Sequence, residues 1–106
     1  MKDYVKLVVS VPEANAEALR LAIGSAGAGV IGIYSYCSFS VMGIGRFKPG
    51  PQAKPFIGKV DQLESVAEER IEIQCEKADA KKIIEVIKAA HPYEEVVVDV
   101  YQLLSL

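Results

Sequence analysis

Twice along this chain an alternating apolar stretch gives way to one of helical period, and this repeated switch restricts the possible folds more than any single motif. In Tyr4–Val11, Val5, Leu7, Val9 and Val11 fall on one face and Tyr4, Lys6, Val8 and Ser10 on the other, as in a half-buried strand. Pro12 suits the first turn of a helix, where its missing N–H is no loss. Ala16, Leu19, Ile23 and Ala26 then recur at helical spacing, with Glu13, Glu17 and Arg20 pointing away. The pattern returns in Glu68–Glu76, where Ile71, Ile73 and Cys75 oppose Arg70, Glu72, Gln74 and Glu76. Asp79 can start the second helix, whose Ala80, Ile83, Ile84, Ile87 and His91 share one face. Pro92 disfavours helical geometry at His91 and ends it there.

The remaining segments complete the plan. Gly24 weakens the last turn of the first helix and Gly27 can stop it. Ile33–Val41 alternates, with Ile33, Ser35, Cys37, Phe39 and Val41 facing one way, and is predicted as a strand. Gly43 and Gly45 allow a tight reversal into a short strand, Gly45–Lys48, which makes Val41–Lys48 a hairpin arm. Pro49–Pro55 is too rich in Pro and Gly for regular structure, and Phe56–Ile57 is expected to tuck the loop onto the body. Val96–Leu103 is the last strand. The order β-α-β, hairpin extension, β-α-β predicts an α+β, ferredoxin-like split βαβ fold as one domain spanning 1–106. Both helices should cover one sheet face. The other would expose Tyr4, Val8, Tyr34, Tyr36, Val97, Tyr101 and Leu103 beside Lys6, Arg70, Glu72 and Asp99, which is too aromatic for a face meant only for water and points to self-association.

Charge and composition exclude several classes of function. Twelve basic and fourteen acidic residues leave a net charge of −2, without the basic excess that nucleic-acid binding needs. Lys6, Glu13, Arg20 and Arg46 interrupt every apolar run, so no membrane span is expected. The N-terminus starts a strand and has no signal-peptide layout, which makes a cytoplasmic protein the expectation. Its two cysteines are too few for a disulfide framework and form no C-x-x-C pair.

Chemistry concentrates in Ala26–Gly58, which holds seven of the eight glycines and three of the five prolines. Glycine at this density marks positive φ or close backbone approach. Gly27–Gly32 is no dinucleotide fingerprint, because it precedes a strand rather than joining a strand to a helix. It reads either as a close-packed turn or as a pocket whose free N–H groups meet an anionic or polar ligand.

The run Gly27-Ala28-Gly29-Val30-Ile31-Gly32, followed by Tyr34-Ser35, Cys37-Ser38-Phe39, Gly43, Gly45, Phe47 and Pro49, resembles the insert domain of the YqfO-like, or NGG-interacting-factor-three-like, family. So do Pro55, Ile57-Gly58, Glu69-Arg70-Ile71-Glu72 and the block Ala90-His91-Pro92-Tyr93-Glu94-Glu95. The resemblance covers most of the chain. It implies a standalone insert with a fold related to the trimeric CutA and PII signalling proteins. Larger members of the family carry a dinuclear metal site in flanking domains, and some are regarded as cyclohydrolase homologues. The histidine and carboxylate motifs of those domains have no match here, so neither metal chemistry nor GTP ring opening is carried over.

His91, the only histidine, cannot by itself supply the ligands of an ordinary zinc site. It is either an imidazole packed at a helix end or part of a polar rim with Tyr93, Glu94 and Glu95. Cys37 and Cys75 fall on apolar parities and read as small hydrophobes. If Cys37 lay beside His91, a thiolate–imidazole pair or a soft-metal site would become possible, which makes these two the candidate metal ligands. Tyr34 and Tyr36 read as interface residues. The expectation is a non-catalytic, PII/CutA-like ligand-binding or regulatory homotrimer whose site forms where Gly27–Ser38 meets His91–Glu95. Its binding residues would be Gly27, Gly29, Gly32, Tyr34, Ser38, His91, Tyr93, Glu94 and Glu95. No cofactor is required, although a divalent metal is possible. The alternatives are a protein-docking module and a metal-binding CutA-like protein; an enzyme is disfavoured, since no nucleophile–base pair is present.

Overall fold

Val5, Leu7, Val9 and Val11 are buried on one side of strand β1 (Tyr4–Pro12), against Ala16, Leu19 and Ile23 of helix α1 (Glu13–Ser25) and Ile83 and Ile87 of helix α2 (Ala80–Ala90). The computed structural model describes residues 2–106. Burying each large aliphatic side chain in this layer stabilises the fold by roughly 1.5–3 kcal/mol. The sheet contains β2 (Phe39–Phe47), β3 (Glu64–Glu76) and β4 (Asp99–Gln102) in the order β2-β3-β1-β4. Because β3 lies antiparallel to both β1 and β2, the latter two are parallel, which is the expected split βαβ plan. A 3-10 turn, Lys77–Asp79, leads into α2.

Pro12 sits one residue earlier than expected, at the extended N-cap of α1 (ψ 140°). At the far end of that helix, Gly27 takes the left-handed conformation (φ +101°) that stops it. His91 is extended (ψ 139°) ahead of Pro92 and remains in phase with the buried face of α2. Cys75 is buried opposite Val5, and that burial raises its thiol pKa.

The second strand departs from expectation. Ile33–Ser38 alternates in sequence but forms a loop, because Gly29 (φ +78°), Gly32 (φ +59°) and Tyr36 (φ +58°) turn the chain out of extended geometry. Tyr34 and Tyr36 therefore lie off the open sheet face; the Tyr36 ring packs against Gly24 and its hydroxyl meets Ser25 at 3.1 Å. Nor do Gly43 and Gly45 reverse the chain. β2 runs straight through them, with Gly43 opposite Glu68 and Gly45 opposite Val66. The reversal is made by 48–63, and Phe56 stays exposed there while Ile57 is half-buried. β3 begins four residues early, at Glu64, so Gly45–Phe47 and Glu64–Val66 form an arm beyond the end of β1. β4 is shorter than expected: Val96 and Val98 pack on the core, but pairing with β1 covers only Val5–Val8.

Candidate functional site

Where α2 ends, the corner 91–95 crosses to the open side of the sheet and is tied down on four sides. The His91 Nε2–H donates to the Ser10 carbonyl at 2.8 Å, on the stretch of β1 that β4 leaves unpaired. Its Nδ1 accepts the Tyr93 N–H at 3.1 Å. With Nε2–H donating and Nδ1 accepting, neither ring nitrogen is left free. The Tyr93 ring lies 4.9 Å from the His91 ring and meets Phe47 of the arm edge-on at 6.0 Å. Its hydroxyl donates to Oε2 of Glu68 at 2.6 Å. The Glu94 carboxylate accepts the Lys54 N–H of the 48–63 loop at 2.8 Å.

Corner, arm and loop enclose a cleft of about 490 Å³ over the open sheet face. Val8, Ser10 and Arg70 form its floor, and Phe47, Pro55 and Tyr93 its apolar walls. Glu72, next to the floor, is held by Lys6 at 3.1 Å and Arg70 at 3.3 Å; these two partners hold its carboxyl below the usual carboxylate range. Burial, followed by the hydrogen bond to Glu68 and then its charge, holds the Tyr93 phenol well above its usual pKa. Among the described residues no group of three or more His, Cys, Asp or Glu side chains is arranged to hold a metal ion.

No family model matches the chain. A Bacillus subtilis protein named GTP cyclohydrolase 1 type 2 homolog is 52% identical over 96 residues, covering 91% of this chain. The protein of the same name from Mycobacterium tuberculosis is 44% identical over 102 residues. The crystal structure of a Bacillus cereus protein related to NIF3 superposes on 96% of the chain with a TM-score of 0.83 at 45% identity. The chain belongs to the YqfO-like, NIF3-related family. It spans about a quarter of the length of these YqfO-like relatives: 26% of the B. subtilis protein, 27% of the M. tuberculosis protein and 26% of the B. cereus chain. CutA from Xylella fastidiosa shares the fold of this YqfO-like segment over 98% of its length, with a TM-score of 0.71, at only 16% identity.

Within one chain this YqfO-like fold separates the two halves of the predicted site. Gly29 donates to the carbonyl of Gln74, which pairs with Lys6 near the start of β1. His91 is bonded to Ser10 near its end. Four strand residues separate those anchors by about 13 Å. Gly27, Gly29, Gly32, Tyr34 and Ser38 line no part of the cleft, whereas His91, Tyr93, Glu94 and Glu95 do. Cys37, whose N–H bonds to the Gly29 carbonyl, shares the far end and cannot pair with His91 in the same chain. Most of the glycine run is closed to a ligand as a backbone cradle, because the N–H groups of Gly27, Ala28, Gly29 and Ile31, and those of Tyr34 and Cys37 beyond it, donate to backbone carbonyls; those of Val30 and Gly32 do not. What forms there is the close-packed turn.

Sequence reasoning missed Glu68, Phe47, Ser10 and the 49–57 loop as partners of the corner. The signal was available in the topology: the chain leaves α2 at the end where β2 finishes and β3 begins.

Proposed function

We propose that this chain is a non-catalytic small-ligand-binding or regulatory module, a cytoplasmic homotrimer, whose site is the cleft between the 91–95 corner and the β2–β3 arm. The observation that carries the reading is the corner itself, fixed to β1, β3, the arm and the loop around a space of drug-like size lined by aromatic walls and a few polar groups. Catalysis is disfavoured because the cleft's only imidazole has both nitrogens committed to backbone partners. The GTP cyclohydrolase name belongs to proteins about four times as long, and we expect no GTP ring opening by this chain.

Thermal-shift screening with nucleotides, phosphorylated metabolites, amines and divalent metals tests the reading. A ligand at a hundred times its Kd stabilises by about 2.7 kcal/mol. Such a shift, lost when Pro55 and Tyr93 are replaced by Ala, supports the cleft. A flat panel across all classes rejects it.

A second reading, a protein-docking module, is favoured by β2. This edge strand exposes Phe39, Met42 and Ile44, together with Ile33 and Tyr34 of the preceding loop. The same surface supports the trimer; a flat ligand panel together with a monomeric mass, which leaves that surface free, would favour docking.

A further inference from the structure

Glu68 is the one carboxyl in the cleft removed from water without a cation to balance it. It is only 9% exposed. The ion pairs among the described residues are Lys2–Glu76, Lys6–Glu72, Arg20–Glu69 and Arg70–Glu72, and none includes Glu68. Tyr93 satisfies Oε2. Oε1 has no hydrogen-bond partner, yet among the described residues no sealed side-chain atom lacks one, so Oε1 opens onto the cleft that Glu68 lines. Gly45 makes room for this carboxyl: a Cβ there would stand 2.0 Å from Oε1. Burying an uncompensated carboxylate is costly, and a donor-bearing cation is the group that offsets the cost.

The surroundings narrow the ligand class. Phe47 and Tyr93, edge to face, form an aromatic wall beside Glu68, suited to a flat ring or a delocalised cation. Glu94, Glu95 and Asp99 add negative charge to the same cleft. Of the basic residues there, Arg70 is engaged by Glu72, while Arg46 and Lys48 are exposed. We propose that the cleft takes a planar organic cation of the amidinium or guanidinium type, which presents its N–H donors to Oε1 of Glu68 and stacks its flat face on one ring of the Phe47–Tyr93 pair, with its edge towards the other. This proposal rests on the cleft being a ligand site at all, and gives that site its chemistry.

The test uses three isosteric probes, benzamidine, benzamide and benzoate, titrated into the full chain while the backbone amide resonances are followed. Benzamidine is expected to shift the amides of Gly45 and Tyr93 saturably, with benzamide weaker and benzoate silent. Glu68→Gln, which keeps an acceptor for Tyr93, should weaken benzamidine by about tenfold or more, the scale of a charge-assisted hydrogen bond. Gly45→Ala, which displaces the carboxyl by contact instead of removing it, should weaken it likewise and serves if Glu68→Gln does not fold. Equal binding of all three probes, or benzamidine binding that is indifferent to both substitutions, overturns cation recognition and leaves the cleft standing as a ligand site. Silence from all three probes also overturns it; whether the cleft reading falls as well is then decided separately by the metabolite panel.

Discussion

The hydroxyl of Tyr93 and Oε2 of Glu68 lie 2.6 Å apart, a bond that joins the corner after α2 to a residue of β3 placed opposite Pro12 and Gly43. Both burial and the Glu68 charge favour the protonated phenol, so its pKa is raised on folding. The contribution of this bond is fully present below the ordinary phenol pKa of about 10 and is lost as pH rises beyond it towards the folded value, because the unfolded chain releases its proton first. We expect stability to denaturant to fall on the alkaline side more steeply in wild type than in Tyr93→Phe. At neutral pH the same substitution should cost about 1–3 kcal/mol, since it leaves a buried acceptor without its donor. Parallel alkaline limbs for the two proteins would show that the bond is absent in solution.

Three glycines separate close approach from simple permissiveness. At Gly29 a Cβ would stand 2.5 Å from the Cys37 carbonyl oxygen with φ at +78°, and neither backbone can yield cheaply. Gly29→Ala should therefore cost about 1–3 kcal/mol for the conformation alone, and more for the clash. At Gly45 the obstacle is the far end of the Glu68 side chain, which can swing away, so the loss in stability should be about 1 kcal/mol while the carboxyl leaves its place. Gly43 has nothing within 4 Å, and Gly43→Ala should lie within about 0.5 kcal/mol of wild type. Urea midpoints for the three variants check the order; a Gly43 effect as large as that at Gly29 would contradict it.

His91 holds the corner by two hydrogen bonds and is 7% exposed. His91→Ala should cost about 1–3 kcal/mol, through the part-buried Tyr93 N–H and Ser10 carbonyl left without this partner. Adding zinc should stabilise wild type no more than the variant, since a metal would have to displace one of those bonds. A zinc-dependent rise in melting temperature that vanishes in His91→Ala would reverse this assignment.

The elements whose pattern reports burial were legible in the sequence, and those whose geometry is set by single backbone angles were not. Val5 to Val11 and Ile71 to Cys75 each have a covered face, so period and structure agree. Ile33 to Cys37 alternate without any face to bury, and three residues with positive φ between Gly29 and Tyr36 decide the loop. Gly43 and Gly45 have the composition of a turn, but at Gly45 the reason for glycine is the Glu68 carboxyl on another strand, which no local window contains. The corner is legible in His91-Pro92-Tyr93-Glu94-Glu95, but within one chain its neighbours are Glu68, Phe47 and the 49–57 loop and not Gly27–Ser38. In an antiparallel β1–β3 pair the two helices that follow must exit at opposite ends of the sheet, so the predicted plan already kept Gly27–Ser38 away from His91 within one chain.

The edge strand β2 supplies the last test. Its backbone is hydrogen-bonded to β3 on one side only, and the unpaired side forms a template for another chain. Exposed strands in monomers are usually guarded by charge, yet Phe39 to Ile44 carries no charged side chain and exposes Met42 at 55% and Ile44 at 60%. Arg46 is the first charge that β2 offers. If copies associate along this edge, Ile44→Lys should lower the mass measured by light scattering at micromolar concentration. Because the side chain is exposed in the single chain, folding stability should stay within about 0.5 kcal/mol. Retention of a trimeric mass by Ile44→Lys would move the seam elsewhere, and a wild-type monomer would remove the trimer from the proposal while leaving the cleft, which lies within one chain, untouched.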